Sequence, residues 1–275
     1  MKLILSFFKV LFIFMFLTLI SQVGGIVYLI YKPFSDSIKN RIRSKGIQLI
    51  FRVILFLGMM SLSSFMITPF IAKQFGRVPL PLQKTENLNP GNLLFCFLNR
   101  HYVKPELLNS IKEISKEVKA TITDTEIIYL DANFPFYDGF PLLPHRSHDD
   151  GEKLDIAFIY KDIETGKRLN SIPSFIGYGY SEGPREGEFD QISDCEAKGY
   201  WQYGLISKIT GQKKRYQFDE AANQQLLQII IKNPQIGKVF IEPHLKQRLG
   251  FSNASKVRFH GCAAVRHDDH IHIQL

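Results

Sequence analysis

The stretch "VRHDDHIHIQL", residues 265–275, carries three of the chain's eight histidines, His267, His270 and His272, with Asp268 and Asp269 between them. Imidazole is both the commonest metal ligand and the side chain that exchanges protons near neutral pH. In an extended strand, side chains at i and i+2 share a face and stand about 7 Å apart. His270 and His272 therefore point one way, while Ile271, Ile273 and Leu275 point the other and can pack on a core. That alternation suits a metal site in which one imidazole binds the ion and its neighbour stands beside the open position. A solvated, polar edge strand is the bland alternative. His267 sits just ahead of the strand and can lean over the same pocket.

A catalytic zinc needs three protein ligands and one position left for water. The string "SHDDGEKLD" offers the missing groups: His148 on a glycine-containing loop and Asp155 at the start of the next strand, spaced H-x6-D. The expected site is His148, Asp155 and one imidazole of the H-x-H pair on zinc. Another histidine then serves as general base, and one more donates a hydrogen bond to a developing oxyanion. The reaction class is amide hydrolysis.

With those residues in view, "RSHDDGEKLD" and "RHDDHIHIQL" resemble the two signature segments of the penicillin-insensitive murein endopeptidases. These belong to the lysostaphin, D-Ala-D-Ala and Sonic hedgehog (LAS) group of zinc peptidases. The pattern S-H-x2-G-x3-D followed by H-D-x-H-x-H is matched through Ser147, His148, Gly151, Asp155, His267, Asp268, His270 and His272. The likeness covers roughly residues 125–275. It implies that His148, Asp155 and His272 hold the zinc, that His270 is the base and that His267 assists catalysis. It also implies a LAS/hedgehog-like peptidase domain over residues 93–275 and a substrate, the peptide cross-links of peptidoglycan. The alternatives are a non-catalytic zinc-binding module of the same fold that binds cell-wall peptides or a partner, and a D-Ala-D-Ala-type carboxypeptidase or dipeptidase. A purely structural site has no need of the spare base at His270.

The rest of the chain must position these groups. Two apolar runs, Leu3 to Tyr31 and Ile47 to Ala72, are each long enough to span a bilayer, which needs about 20 apolar residues. They predict a two-helix transmembrane hairpin over residues 1–75, followed by a linker at 76–92 that is rich in proline and glycine. The formal net charge is +8. All of that excess lies in residues 1–75, where Asp36 is the lone acid, and this argues against a nucleic-acid partner for the remainder. The basic loop "KPFSDSIKNRIRSKG" predicts a cytoplasmic hairpin turn with both termini facing outward. The domain then faces the periplasm or cell exterior from the cytoplasmic membrane. Of three cysteines, Cys195 and Cys262 can pair or stay as free thiols.

Downstream, helices are expected in "KPELLNSIKEISKEVKA", "FDEAANQQLLQIIIKNP" and "HLKQRLG". Strands are expected in "TEIIYLDANF", "KLDIAFIYKD", "GKVFIEP" and "HIHIQL". That order predicts an α+β fold with a mainly antiparallel sheet and flanking helices. Asp149, Asp150 and Asp269 read mainly as solvated loop residues, one of which can orient a histidine. Asp268 matches the motif. His145 lines the cleft or belongs to an ordinary loop. His101, His244 and His260 read as structural. In "GYWQYG", Tyr200, Trp201 and Tyr203 can hold a glycan or peptide, with core packing the expected fate of Trp201.

Overall fold

The computed structural model describes residues 2–83, 87–202 and 215–275. The first apolar run, expected as one span, is broken. Helix α1 (Lys2–Ser21) stops at Gln22, whose φ is 63°, and α2 (Gly24–Arg41) folds back along it. The reversal depends on close approach. A Cβ on Gly25 would lie 2.1 Å from Thr18 Oγ1 and 2.6 Å from Phe14 O, so the backbone contact requires glycine.

Helix α3 (Lys45–Leu62) runs antiparallel to α2: Arg52 Nε donates to Ser35 Oγ at 2.7 Å, and Tyr31 meets Phe56 edge-on. It continues through a π turn (Ser63–Ile67), α4 (Thr68–Ala72) and a 3-10 turn (Lys73–Phe75). Pro69, lacking an N–H, accounts for the widened turn before it. Two stretches, Ile4–Ser21 and Lys45–Phe75, are long and apolar enough to cross a membrane. The expected two-helix hairpin is therefore a three-helix bundle whose two apolar helices run parallel, joined by the more polar α2. The N-terminus lies at the same end as the basic loop, opposite the C-terminal domain. This corrects the expectation that both termini share a side.

The stretch expected as a linker is built into the domain. Gly76, at φ 66°, ends the helix, and the Arg77 N–H donates to Ala72 O at 3.0 Å in a left-handed cap. Strand β1 (Val78–Pro79) then pairs with β3 (Tyr102–Val103), and β2 (Leu88–Pro90) joins the main sheet, with Leu80 and Leu88 buried. Lys84, Thr85 and Glu86 lie outside the described residues.

The main sheet has six strands in the order β10 (Val257–Arg258), β9 (Lys238–Phe240), β11 (His270–Gln274), β5 (Lys153–Ala157), β4 (Ile127–Tyr129) and β2. Its centre is antiparallel, but β10 pairs with β9, and β2 with β4, in parallel. The α+β class holds, while the sheet is mixed rather than mainly antiparallel. Parallel neighbours need crossover connections. Helix α6 (Pro105–Thr121) lies on the connection from β2 to β4, after the short α5 (Leu93–Phe97). Helix α9 (Pro243–Arg248) lies between β9 and β10. The expected strand "KLDIAFIYKD" divides into β5 and β6 (Tyr160–Asp162), the latter pairing with β7 (Arg168–Leu169) and β8 (Tyr216–Phe218) in a second sheet.

Ile111 and Val118 of α6 and Leu227 and Ile230 of α8 (Glu220–Lys232) share one core with Leu154, Ile156, Ile271 and Ile273 of the sheet. Because strand side chains alternate, this leaves Asp155, His270 and His272 together on the opposite face. Cys195, on α7 (Gln191–Ala197), forms a disulfide with Cys262, and Cys96 is a buried free thiol.

Candidate metal centre

Strand register builds the first half of the centre. His272 and Asp155 are direct partners across β11 and β5, where cross-strand Cβ atoms stand about 5 Å apart. His272 Nδ1 lies 2.9 Å from Asp155 Oδ1. His148 arrives on the loop before β5, which turns at Gly151 with φ 84°. Its Nδ1–H donates to Ala132 O at 2.6 Å, which leaves the Nε2 lone pair facing the other two groups. That atom is 3.0 Å from His272 Nδ1 and 3.1 Å from Asp155 Oδ1.

Three donor atoms from two distant segments thus form a triangle with edges of 2.9, 3.0 and 3.1 Å, and all three residues are buried. A tetrahedral ion with bonds of about 2.0–2.2 Å to nitrogen and oxygen sets its donors about 3.3–3.5 Å apart. An opening of a few tenths of an ångström accommodates it, so the donor set fits. Burial pushes the His272 imidazole down to about 3, against the pull of Asp155, and so keeps it a neutral donor. Burial opposes ionisation of Asp155, but His148, His270 and His145 outweigh it and hold this carboxyl well below the usual range.

A second grouping, His145 with His148 and Asp155, is also close enough to share an ion. The two sets share His148 and Asp155 and differ in the third imidazole, His272 or His145. His145 Nδ1 faces the outer oxygen of Asp155 at 3.0 Å and Asp131 Oδ2 at 3.3 Å. Although burial opposes it, the charge of Asp155 and the contact with Asp131 raise His145 to about 9. His145 steadies the Asp155 carboxylate, as does Tyr178, whose OH donates to Asp155 Oδ2 at 2.8 Å. The cluster of Asp194, Cys195 and Cys262 is closed by the disulfide.

His270 and His267 stand beside the triangle. Asp269 holds His270 Nδ1 at 2.5 Å and in turn accepts the Gly179 N–H at 2.6 Å. The Nε2 atoms of His270 and His267 are buried with no hydrogen-bond partner among the described residues. The two rings are 4.9 Å apart. Asp155 and Asp269 raise His270 despite its burial, whereas burial, with His270 and His272 nearby, pushes His267 well down. A cavity of about 150 Å³ opens next to His270, walled by Phe95, Arg100, His145, Ile176, Tyr178 and Arg266, among others.

The sequence-predicted site residues therefore converge, with additions. Asp269 is buried and orients His270, whereas Asp150 pairs with Lys153 and Asp149 lies 3.6 Å from it. Asp268 is buried against Arg266. His260, read as structural, stacks on Phe240 and lies 5.3 Å from His267 and 5.7 Å from His272. His145, Asp131, Tyr178 and His260 had no local spacing to reveal them. His101 and His244 are buried away from the triangle, as expected. Trp201 is 61% exposed rather than packed in the core, and Tyr203 lies outside the described residues. No protein-family model matches the chain, and no curated protein matches it.

Proposed function

We propose that this chain is a membrane-anchored zinc peptidase of the murein-endopeptidase kind, hydrolysing amide bonds in peptidoglycan cross-links. The triangle of His148 Nε2, Asp155 Oδ1 and His272 Nδ1, with the Nε2 atoms of His270 and His267 beside it making no hydrogen bond among the described residues, carries this reading. Zinc held there supplies Lewis acidity, which polarises a carbonyl and eases the ionisation of water. His270, fixed through Nδ1 by Asp269, presents Nε2 to take a proton from the attacking water and pass it to the leaving amine. His267 presents its own Nε2 to the carbonyl oxygen as charge develops there. The cavity beside His270, with aromatic and aliphatic walls, receives the side chains next to the scissile bond.

The bundle supports the anchoring. Phe12, Ile54 and Phe70 are exposed apolar side chains on its two long helices, as a lipid-facing surface requires. Lys39, Arg41, Arg43 and Lys45 gather at the end far from the domain, which supports a reading with that end in the cytoplasm and the domain on the periplasmic or outer side. Incubating the zinc-loaded chain with cross-linked muropeptides, followed by mass spectrometry, tests the reading. Cleavage that disappears in His148→Ala and His270→Ala supports it; intact muropeptides with the wild-type chain refute it.

A further inference from the structure

The domain does not hang from its anchor on a free tether. Ser64 Oγ, in the π turn of the second apolar helix, donates to Phe97 O at 2.8 Å. Asn99 Nδ2 donates to Ser21 O, at the end of α1, and to Ser64 Oγ. The Phe136 N–H donates to Gln22 Oε1 at 2.9 Å, and Phe75 packs on Phe136 and Tyr137. These contacts bear directly on the catalytic side of the domain. Arg100, next to Asn99, forms a bidentate pair with Asp131, and Asp131 touches His145, which touches Asp155. An unbroken chain of contacts thus runs from the end of α1 to a metal ligand.

The domain also carries exposed apolar side chains. Leu94, Leu143 and Phe175 are 44%, 48% and 71% exposed. Each is the chain neighbour of a cavity wall residue, Phe95, Pro144 and Ile176 respectively. Exposed apolar side chains on a domain that docks directly on the ends of two long apolar helices suit a surface at the lipid headgroups.

We propose that the centre is fixed at the height of the membrane surface and acts on peptides that a lipid holds at that surface. This rests on the peptidase reading above: water adds across the amide C–N bond to leave a carboxylate and an amine. A peptide carried on a lipid meets the pocket where it is held. A peptide lifted well above the bilayer does not, because a docked domain cannot rise to it.

The test uses the full zinc-loaded chain in phosphatidylethanolamine and phosphatidylglycerol vesicles. One cross-linked stem peptide is offered in three forms: free, attached directly to a lipid in the same vesicles, and attached through about 20 prolines, which extend about 60 Å at roughly 3.1 Å per residue. The directly attached form is expected to be cut at least about tenfold faster than the lifted form, since effective concentration collapses when a span cannot be bridged. A variant with about 20 glycine and serine residues inserted after Phe75, together with Ser64→Ala and Asn99→Ala, is expected to cut both within about twofold. Equal cleavage of direct and lifted forms by the wild-type chain, or cleavage of the free form alone, overturns the proposal and leaves the peptidase reading standing. If no form is cut, the peptidase reading fails and this inference with it. The wild-type ratio decides the question even where the variant fails to fold.

Discussion

His272 and His148 face the same triangle but are held by different means. His272 sits on β11, which is paired with β5 on one side and β9 on the other, so backbone hydrogen bonds spread over several residues set its position. His148 sits on a loop outside any ladder, held by scattered bonds: backbone ones such as Lys104 N–H to Gly151 O at 2.8 Å, and a few side chains. Asn133 Oδ1 accepts the Gly151 N–H at 3.0 Å, while Asn133 Nδ2 donates to Lys153 O at 2.8 Å. The Arg77 guanidinium packs where a Gly151 side chain would lie. A ladder shares its load, whereas a propped loop has single points of failure.

Removing the group that both arms share should have the largest effect. Asp155→Ala is expected to abolish stoichiometric zinc, measured by metal analysis. It should also destabilise the fold by about 3–5 kcal/mol, because it leaves buried histidines around the carboxylate without their counter-charge. Retention of zinc would show that the triangle is not the metal site.

The difference between strand and loop is sharpened by a matched pair of substitutions. A Cβ at Gly151 would lie 2.7 Å from the Arg77 guanidinium, on a backbone at φ 84°. Gly151→Ala is therefore expected to cost about 1–3 kcal/mol and to weaken zinc binding about 10–100-fold. Gln274→Ala, at the partly exposed end of β11, should stay within about 0.5 kcal/mol. Denaturant titration and competitive chelation read both, and equal losses would erase the distinction.

The smallest effect provides a metal-independent baseline. Glu188 accepts hydrogen bonds from Arg248, which hold its carboxyl down to about 2, below the ordinary 4.5. A depressed carboxylate stabilises the fold above its unfolded value, and that contribution is lost as pH falls from about 4.5 towards 2. Glu188→Gln should therefore show a stability deficit at pH 7 that closes on acidification, with zinc content unchanged. A deficit independent of pH would rule out this ion pair as its source.

What the sequence revealed follows the range of each interaction. The alternation in "HIHIQL" reports its own geometry because a period of two is local, and Ile271 and Ile273 are indeed in the core. The amphipathic stripe of α6 was equally legible. The pairing of His272 with Asp155 was not, because register between segments more than a hundred residues apart depends on the whole sheet. His145 and Asp131 gain their roles only when the loop closes over β5. The reversal in the bundle is hidden because one left-handed residue, Gln22, with Gly24 and Gly25 two and three positions on, turns back a run whose hydropathy is continuous.

Arg77 follows the capping glycine of the second apolar helix, yet it is 1% exposed and lies under the turn that carries His148. It pairs with Asp138 and reaches Phe134 O in the same loop. The helical bundle and the candidate metal centre are consequently not modular. Exchanging the N-terminal helices for another segment, or trimming the chain back to the first core strand, removes a prop of the His148 loop unless Arg77 is kept. Changes at positions 77, 138 and 151 should be tolerated only in concert.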